Sequence, residues 1–189
     1  MNNKHHPSGP QRRVAWIGPF LSMLGCALLA MGCLAAPAAN PAAHKIKVGI
    51  QEGQLAPDFE LETVHGQTVK LSHYRGQVVL INFWATWCGY CRTEFPEIQD
   101  AYERNQKKGF VVLAINVQDR KENVLAYAQE LGLTFPVLLD PLGRASGSYQ
   151  ARGLPTSYFV DQEGVIVLKK VGPVNTSIIQ DVLAQTGVE

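Results

Sequence analysis

Two cysteines two residues apart, Cys88-Gly89-Tyr90-Cys91, stand between the apolar run "VVLINFWA" (78–85) and an amphipathic stretch reaching about Lys107. No other feature constrains the fold as tightly. The apolar run has the length and composition of a buried, parallel strand, bounded by Gly76-Gln77 before it. Beyond the cysteines, Phe95, Ile98, Ala101 and Tyr102 recur at helical spacing, and Gly109 closes the helix. A strand that turns directly into a helix through Cys88 places that sulfur among the unpaired N–H groups at the positive end of the helix dipole. Such a site favours thiolate over thiol and lowers the pKa from the usual value of about 8.5. Cys91 lies one turn on, on the same face and further inside. The geometry assigns roles: Cys88 attacks a partner's disulfide, and Cys91 resolves the mixed disulfide.

Other uses of two cysteines fit less well. Zinc normally takes four ligands, yet there is no second C-x-x-C, and only His65 and His73 are near in sequence. A c-type haem site needs histidine after the second cysteine, where this chain has Arg92. A structural bridge closing so short a loop stabilises little. A peroxidatic cysteine of the peroxiredoxin kind would want threonine three residues earlier, at the position of Ala85. The remaining reading is a reactive dithiol that is its own redox group, with no metal and no separate cofactor.

Strand and helix signals alternate along the rest of the chain. "LAPDFELET" and "GQTVKLSHYRGQ" form a hairpin pair. "FVVLAINV" (110–117) is a second buried strand, "RKENVLAYAQELGL" (120–133) an amphipathic helix, "FPVLLD" a third short strand, and "GRASGSYQ" a weak helix or loop. "PTSYFVDQEGVIVLKKVG" (155–172) reads as a hairpin turning at Gln162-Glu163-Gly164. "NTSIIQDVLAQTG" is a terminal helix capped by Asn175 or Thr176. The alternation predicts an α/β sandwich around a mixed sheet.

Charge is unevenly spread. Lysine plus arginine number 17 against 16 acidic residues, a net charge of +1; no basic face is implied, and nucleic acid is not an expected partner. From Val14 to Asn40 no residue is charged, and Lys4, Arg12 and Arg13 precede that stretch. This is the order of an export signal, and the apolar part also reaches the roughly 20 residues that span a bilayer. Residues 1–36 are therefore expected to be an export signal or membrane anchor. Three fates stay open: cleavage at a small-x-small site such as Ala36-Pro37-Ala38, retention with the Arg pair inside, or lipidation of Cys33, which follows Gly32 in a stretch resembling a bacterial lipobox. Residues 37–47 read as a small-residue tether, and 48–189 as the folded domain. Cys26 and Cys33 lie in the apolar segment, which leaves Cys88 and Cys91 alone in an oxidising compartment.

"FWATWCGYCRTEFPEI", with "APDFELETVHGQTVKLSHYRGQVVLINF" before it and "GLPTSYFVDQEGVIV" after it, resembles the TlpA/ResA-like thiol–disulfide oxidoreductases of the thioredoxin superfamily, over roughly residues 53–187. The resemblance implies a thioredoxin fold with an N-terminal β-hairpin extension and a central β–α insertion between Phe110 and Leu139. It also implies an extracytoplasmic setting, usually with a membrane tether. Its expected partners are disulfide-bearing envelope proteins, apocytochrome c among them, and a membrane thiol protein that donates electrons.

Further residues follow from that likeness. Pro155 matches the cis-proline of thioredoxin folds, in a loop that faces the cysteine pair, and the backbone before it, at Leu154, binds an extended substrate strand. A cis bond costs little only at proline. Glu94, three residues after Cys91, matches a glutamate that assists the cysteine chemistry. A partly buried carboxylate there could take the Cys91 proton as the mixed disulfide resolves; the competing reading is a solvated helix face. Trp84 and Trp87 flank the pair and are expected to shield it while offering an apolar docking surface. Pro96 is expected to kink the helix. Between the cysteines, Gly89-Tyr90 supplies neither histidine nor cation to stabilise a reduced thiolate, so a reductant is expected. An envelope oxidase or isomerase, and a non-catalytic thioredoxin-like binding module, are the alternatives. Gly-Tyr also differs from the x-Pro dipeptide common in the group.

Overall fold

The computed structural model describes residues 46–188; the stretch expected to be an export signal or anchor, Cys33 and most of the expected tether, up to residue 45, lie outside the described residues. Seven strands form one mixed sheet in the order β2-β1-β5-β4-β3-β6-β7. The strands are β1 (Glu60–Thr63), β2 (Thr68–Lys70), β3 (Val78–Trp84), β4 (Phe110–Val117), β5 (Val137–Asp140), β6 (Thr156–Val160) and β7 (Ile166–Val171). The helices are α1 (Gly89–Asn105), α2 (Lys121–Glu130), α3 (Arg144–Ser148) and α4 (Thr176–Gln185). β3, β4 and β5 are parallel, and every other pairing is antiparallel. The core β4-β3-β6-β7 with its helices is the thioredoxin fold. The α2–β5 unit is the insertion: it places β5 beside β4, and the N-terminal hairpin β1–β2 then adds to the free side of β5.

Every residue of β3 is buried, because both faces of the central strand are covered. Its side chains alternate. Val78, Leu80 and Trp84 meet α1, α2 and α4 through Phe95, Ile98, Val124, Tyr127, Ile179 and Val182. Val79, Ile81 and Phe83 meet the other layer, built from Phe59, Leu71, Ala145, Tyr149 and Tyr158. Burying each such side chain is worth about 1.5–3 kcal/mol, so β3 anchors both layers and holds its C-terminal end, where the cysteines follow, in a fixed place. Asn82 occupies the α1 face of this strand, between Leu80 and Trp84. It is the one polar residue in β3 and is fully buried.

The helix ends follow from local chemistry. α1 passes through Pro96 as a single element and gives way to a 3-10 turn that ends at Gly109, whose φ of 93° is the left-handed conformation glycine adopts freely. Asn175 caps α4, accepting from Ile178 N at 3.0 Å. The buried Asp140 carboxylate accepts from the N–H groups of Arg144 (2.8 Å), Ala145 (3.3 Å) and Ser146 (2.8 Å), which fixes the short α3. At the domain's start, Leu55 N donates to Lys47 O at 3.0 Å, and Leu55 also bridges Val165. Among the described residues no helix is long and apolar enough to cross a membrane.

Candidate active site

Cys88 is the N-cap of α1, in extended conformation (φ −83°, ψ 103°), and its sulfur accepts from Cys91 N at 3.2 Å. A sulfur thus takes the place that Ser, Asp or Asn usually fills at a helix start. Cys88 and Cys91 are joined as a disulfide, their Cα atoms 5.3 Å apart. Both sulfurs lie in the α1-side layer, Cys91 fully buried and Cys88 6% exposed. The difference is small, and what exposure the pair has belongs to Cys88. When the pair is reduced, the N–H that now meets the Cys88 sulfur is in place to stabilise a thiolate.

The Leu154–Pro155 peptide bond is cis. β6 pairs with β3 so that Thr156 lies opposite Phe83. Pro155 and Leu154 therefore sit at the same end of the sheet as Trp84 and the loop leading to Cys88. Leu154 is half-buried, packed against both hydrophobic layers.

The two tryptophans part company. Trp87 is 74% exposed and Tyr90 70%, flanking Cys88 with apolar surface. Trp84 does not share that role. It is completely buried, packing edge-on to Phe95 (5.0 Å) and against Tyr127 (5.2 Å), because its even position on β3 points it into the core. Arg92, where a haem-attachment motif would need histidine, pairs with Glu130 of α2 at the surface and lies over the Tyr127 ring.

Glu94 is buried, 1% exposed, and not on a solvated face. Its carboxylate accepts from Asn82 Nδ2 at 2.8 Å and from Val174 N at 2.8 Å. Burial pushes its pKa up to about 7, against the opposing pull of those two hydrogen bonds. The same Asn82 Nδ2 donates to Ser157 Oγ on β6 at 2.9 Å. Nearer the cysteines, Asp119, in the loop after β4, accepts from Thr86 N at 2.6 Å and from Asn116 Nδ2 at 2.9 Å. It fixes the backbone two residues before Cys88. The residue before it, Gln118, has φ +62°, an uncommon value for a non-glycine.

Sequence reasoning brought Cys88, Cys91, Glu94, Trp87, Leu154 and Pro155 forward, and the fold gathers them at one end of β3. It missed Asn82, Ser157, Asp119 and the Val174 N–H. Asn82 left a readable trace, a single polar residue at a core-facing position of an otherwise apolar strand. The other three had none, since they reach the site from 75, 33 and 80 residues away in sequence from their partners.

A cysteine pair at a helix N-terminus, beside a cis-proline loop on a thioredoxin fold, defines a thiol–disulfide oxidoreductase. The chain matches the AhpC/TSA family over residues 53–169. It is 36% identical to the thiol-disulfide oxidoreductase ResA of Bacillus subtilis over 135 residues, which is 71% of this chain and 75% of that protein. Among solved structures, a thioredoxin-family thiol:disulfide interchange protein from Chlorobium tepidum is 29% identical, with a TM-score of 0.63, covering 70% of this chain and 94% of that one. A secreted thiol-disulfide isomerase from Corynebacterium glutamicum, also 29% identical with a TM-score of 0.63, covers 70% and 83%. The chain belongs to the AhpC/TSA family and is a ResA-like thiol–disulfide oxidoreductase.

Proposed function

We propose that this oxidoreductase works outside the cytoplasm and reduces disulfides in envelope proteins, apocytochrome c being one candidate substrate, with electrons supplied by a membrane thiol protein. The observation that carries the reading is the buried carboxyl of Glu94 one turn beyond Cys91, on a helix whose N-cap is Cys88. In the reduced protein the Cys88 thiolate attacks the substrate disulfide. One substrate sulfur leaves as a thiolate, and the other is held in a mixed disulfide with Cys88. Cys91 then gives its proton to the Glu94 carboxylate and attacks the Cys88 sulfur. The Cys88–Cys91 bond forms, the mixed disulfide breaks, and the second substrate sulfur departs. Two electrons have passed to the substrate, and the donor's dithiol restores the pair.

Glu94 suits this step because its pKa, raised to about 7, lets it change protonation near neutrality. Trp87 and Tyr90 supply an apolar landing surface beside Cys88, and the backbone at Leu154, next to Pro155, receives an extended strand of the substrate. The uncharged N-terminal segment after its basic residues supports export, as does likeness to a protein that is secreted. Anchoring by the segment or by lipid on Cys33 belongs to the same proposal, and the mass of the mature N-terminus tests it. The direction of electron flow is tested by equilibrium with glutathione. A potential near that of thioredoxin, about −270 mV, supports a reductant. A value near −120 mV, that of a DsbA-like oxidant, would refute it.

A further inference from the structure

The buried side of α1 holds a polar chain that the cysteine chemistry does not by itself explain. Asn82 Nδ2 reaches Glu94 Oε1 on one side and Ser157 Oγ on the other, while Asn82 Oδ1 is buried with no hydrogen-bond partner. Buried polar atoms are nearly always paired, so an orphaned acceptor in the centre of the sheet asks for a reason. Ser157 Oγ accepts from Asn82, and its own hydrogen is free to turn.

We infer that Asn82 is a positioning residue whose side-chain amide follows the proton on Glu94, presenting Nδ2 to the carboxylate and, after a half-turn, Oδ1 to the protonated acid. This rests on the reading of Glu94 as the group that takes the Cys91 proton. With Glu94 ionised, both carboxylate oxygens are held by donors, Asn82 Nδ2 and Val174 N. Two donors serve a carboxylate well but leave a protonated carboxyl with an O–H that has nothing to donate to. Turning the amide about its last bond cures this. Oδ1 then accepts from the Glu94 O–H and from the Ser157 hydroxyl, which reverses its role, while Val174 N keeps the other Glu94 oxygen. Nδ2 turns into the place that Oδ1 leaves, so the unpaired end of the amide passes from acceptor to donor.

Both states keep the carboxyl tied to Asn82 and to Val174 N, so it stays in one place while its charge changes. An amide can do this because its two ends are nearly alike in shape and opposite in hydrogen-bonding sense. Facing Glu94 are Asn82 of β3, itself bonded to Ser157 of β6, and the Val174 backbone before α4, all uncharged. Its own helix adds Cys91 and Glu97, and the Glu97 carboxylate is taken up by Thr176 N and Oγ1. No charged neighbour contributes to the shift of Glu94.

The test follows the resolution step alone. The purified protein is loaded as a Cys88–glutathione mixed disulfide, and glutathione release by Cys91 is timed from pH 5 to pH 9. The wild type should show an inflection near pH 7, and Glu94→Gln should abolish it. Asn82→Leu removes a partner from both forms of Glu94, but the bond to the ionised carboxyl is the stronger by about 1 kcal/mol, so the inflection should move up by about half a pH unit or more. In the Glu94→Gln background, Asn82→Leu should change nothing further. Should the leucine variant not fold, Asn82→Asp keeps the shape and sets a second carboxyl against the first, which should move the inflection up as well.

An inflection that survives Glu94→Gln would refute the role of Glu94 itself. An inflection lost in Glu94→Gln but unmoved by the Asn82 variants would leave that role standing and overturn ours for Asn82. So would equal slowing by Asn82→Leu with and without Glu94. The half-turn has its own readout in ¹⁵N-labelled protein. Proton contacts between the Asn82 side-chain amide and the Glu94 methylenes should be present at pH 9 and lost at pH 5; their persistence at pH 5 would overturn it.

Discussion

Replacing Glu94 by Gln should change the pH dependence of stability in a direction fixed by burial. The carboxyl has a pKa of about 4.5 when the chain is unfolded and about 7 when it is folded. Between those values the folded state binds a proton that the unfolded state has lost, so stability falls as pH rises. The shift is about 2.5 pH units at about 1.36 kcal/mol per unit, or about 3 kcal/mol lost in full above pH 7. Gln cannot ionise and escapes this penalty. The absolute stability of the variant also reflects its rearranged hydrogen bonds. The informative quantity is therefore the pH dependence of the difference between variant and wild type, in which all other titrating groups cancel. Urea unfolding of the oxidised proteins at half-unit steps from pH 4.5 to pH 8.5 measures it. The variant should gain on the wild type by about 3 kcal/mol across this range, with most of the change between pH 5 and pH 7. A difference that stays flat to within about 0.5 kcal/mol would show that Glu94 titrates as an ordinary surface carboxylate, and the base assignment would fall with it.

Other expectations are simpler. Cys91→Ser should accumulate a mixed disulfide between Cys88 and its substrate, visible as a mass adduct, whereas Cys88→Ser should trap none. Trp87→Ala should leave the melting temperature nearly unchanged, since the side chain is 74% exposed, yet raise the KM for a protein disulfide about fivefold or more, as loss of an aromatic anchor does. Asp119→Ala frees the Thr86 N–H and should cost about 1–2 kcal/mol in urea unfolding, with faster alkylation of reduced Cys88 as its loop loosens. Asp140→Ala removes the acceptor for three amides at the start of α3 and should cost about 2–3 kcal/mol, with thiol exchange unaffected.

Much of this was legible in the chain because local patterns carried it. β4 matches "FVVLAINV" residue for residue, since a run buried on both faces leaves no ambiguity of period. The dithiol could be placed because strand, cysteine and helix are contiguous. The resemblance located Pro155, which spacing alone could not distinguish from a proline at the start of a strand. The polar partners of Glu94 escaped notice for the opposite reason. Asn82 was absorbed into an apolar run by its neighbours, and Ser157 and Val174 are brought to it only by the pairing of β3 with β6 and the return of the chain towards α4. Trp84 and Trp87 look equivalent in sequence, yet three residues across the end of a strand send one into the core and the other into solvent.

The cap of α1 carries a cost that changes with the redox state of the protein. α4 begins with Asn175, whose oxygen accepts a backbone N–H whatever the surroundings. α1 begins with a sulfur that is a weak acceptor as thiol or disulfide and a strong one only as thiolate. The helix is therefore best terminated while the protein is charged with electrons, and surrenders part of that stability with each pair it delivers. Exchanging Cys88 for Ser or Asp would give a sounder helix and a silent protein. The main helix of the fold is left imperfectly begun so that its capping residue can be spent.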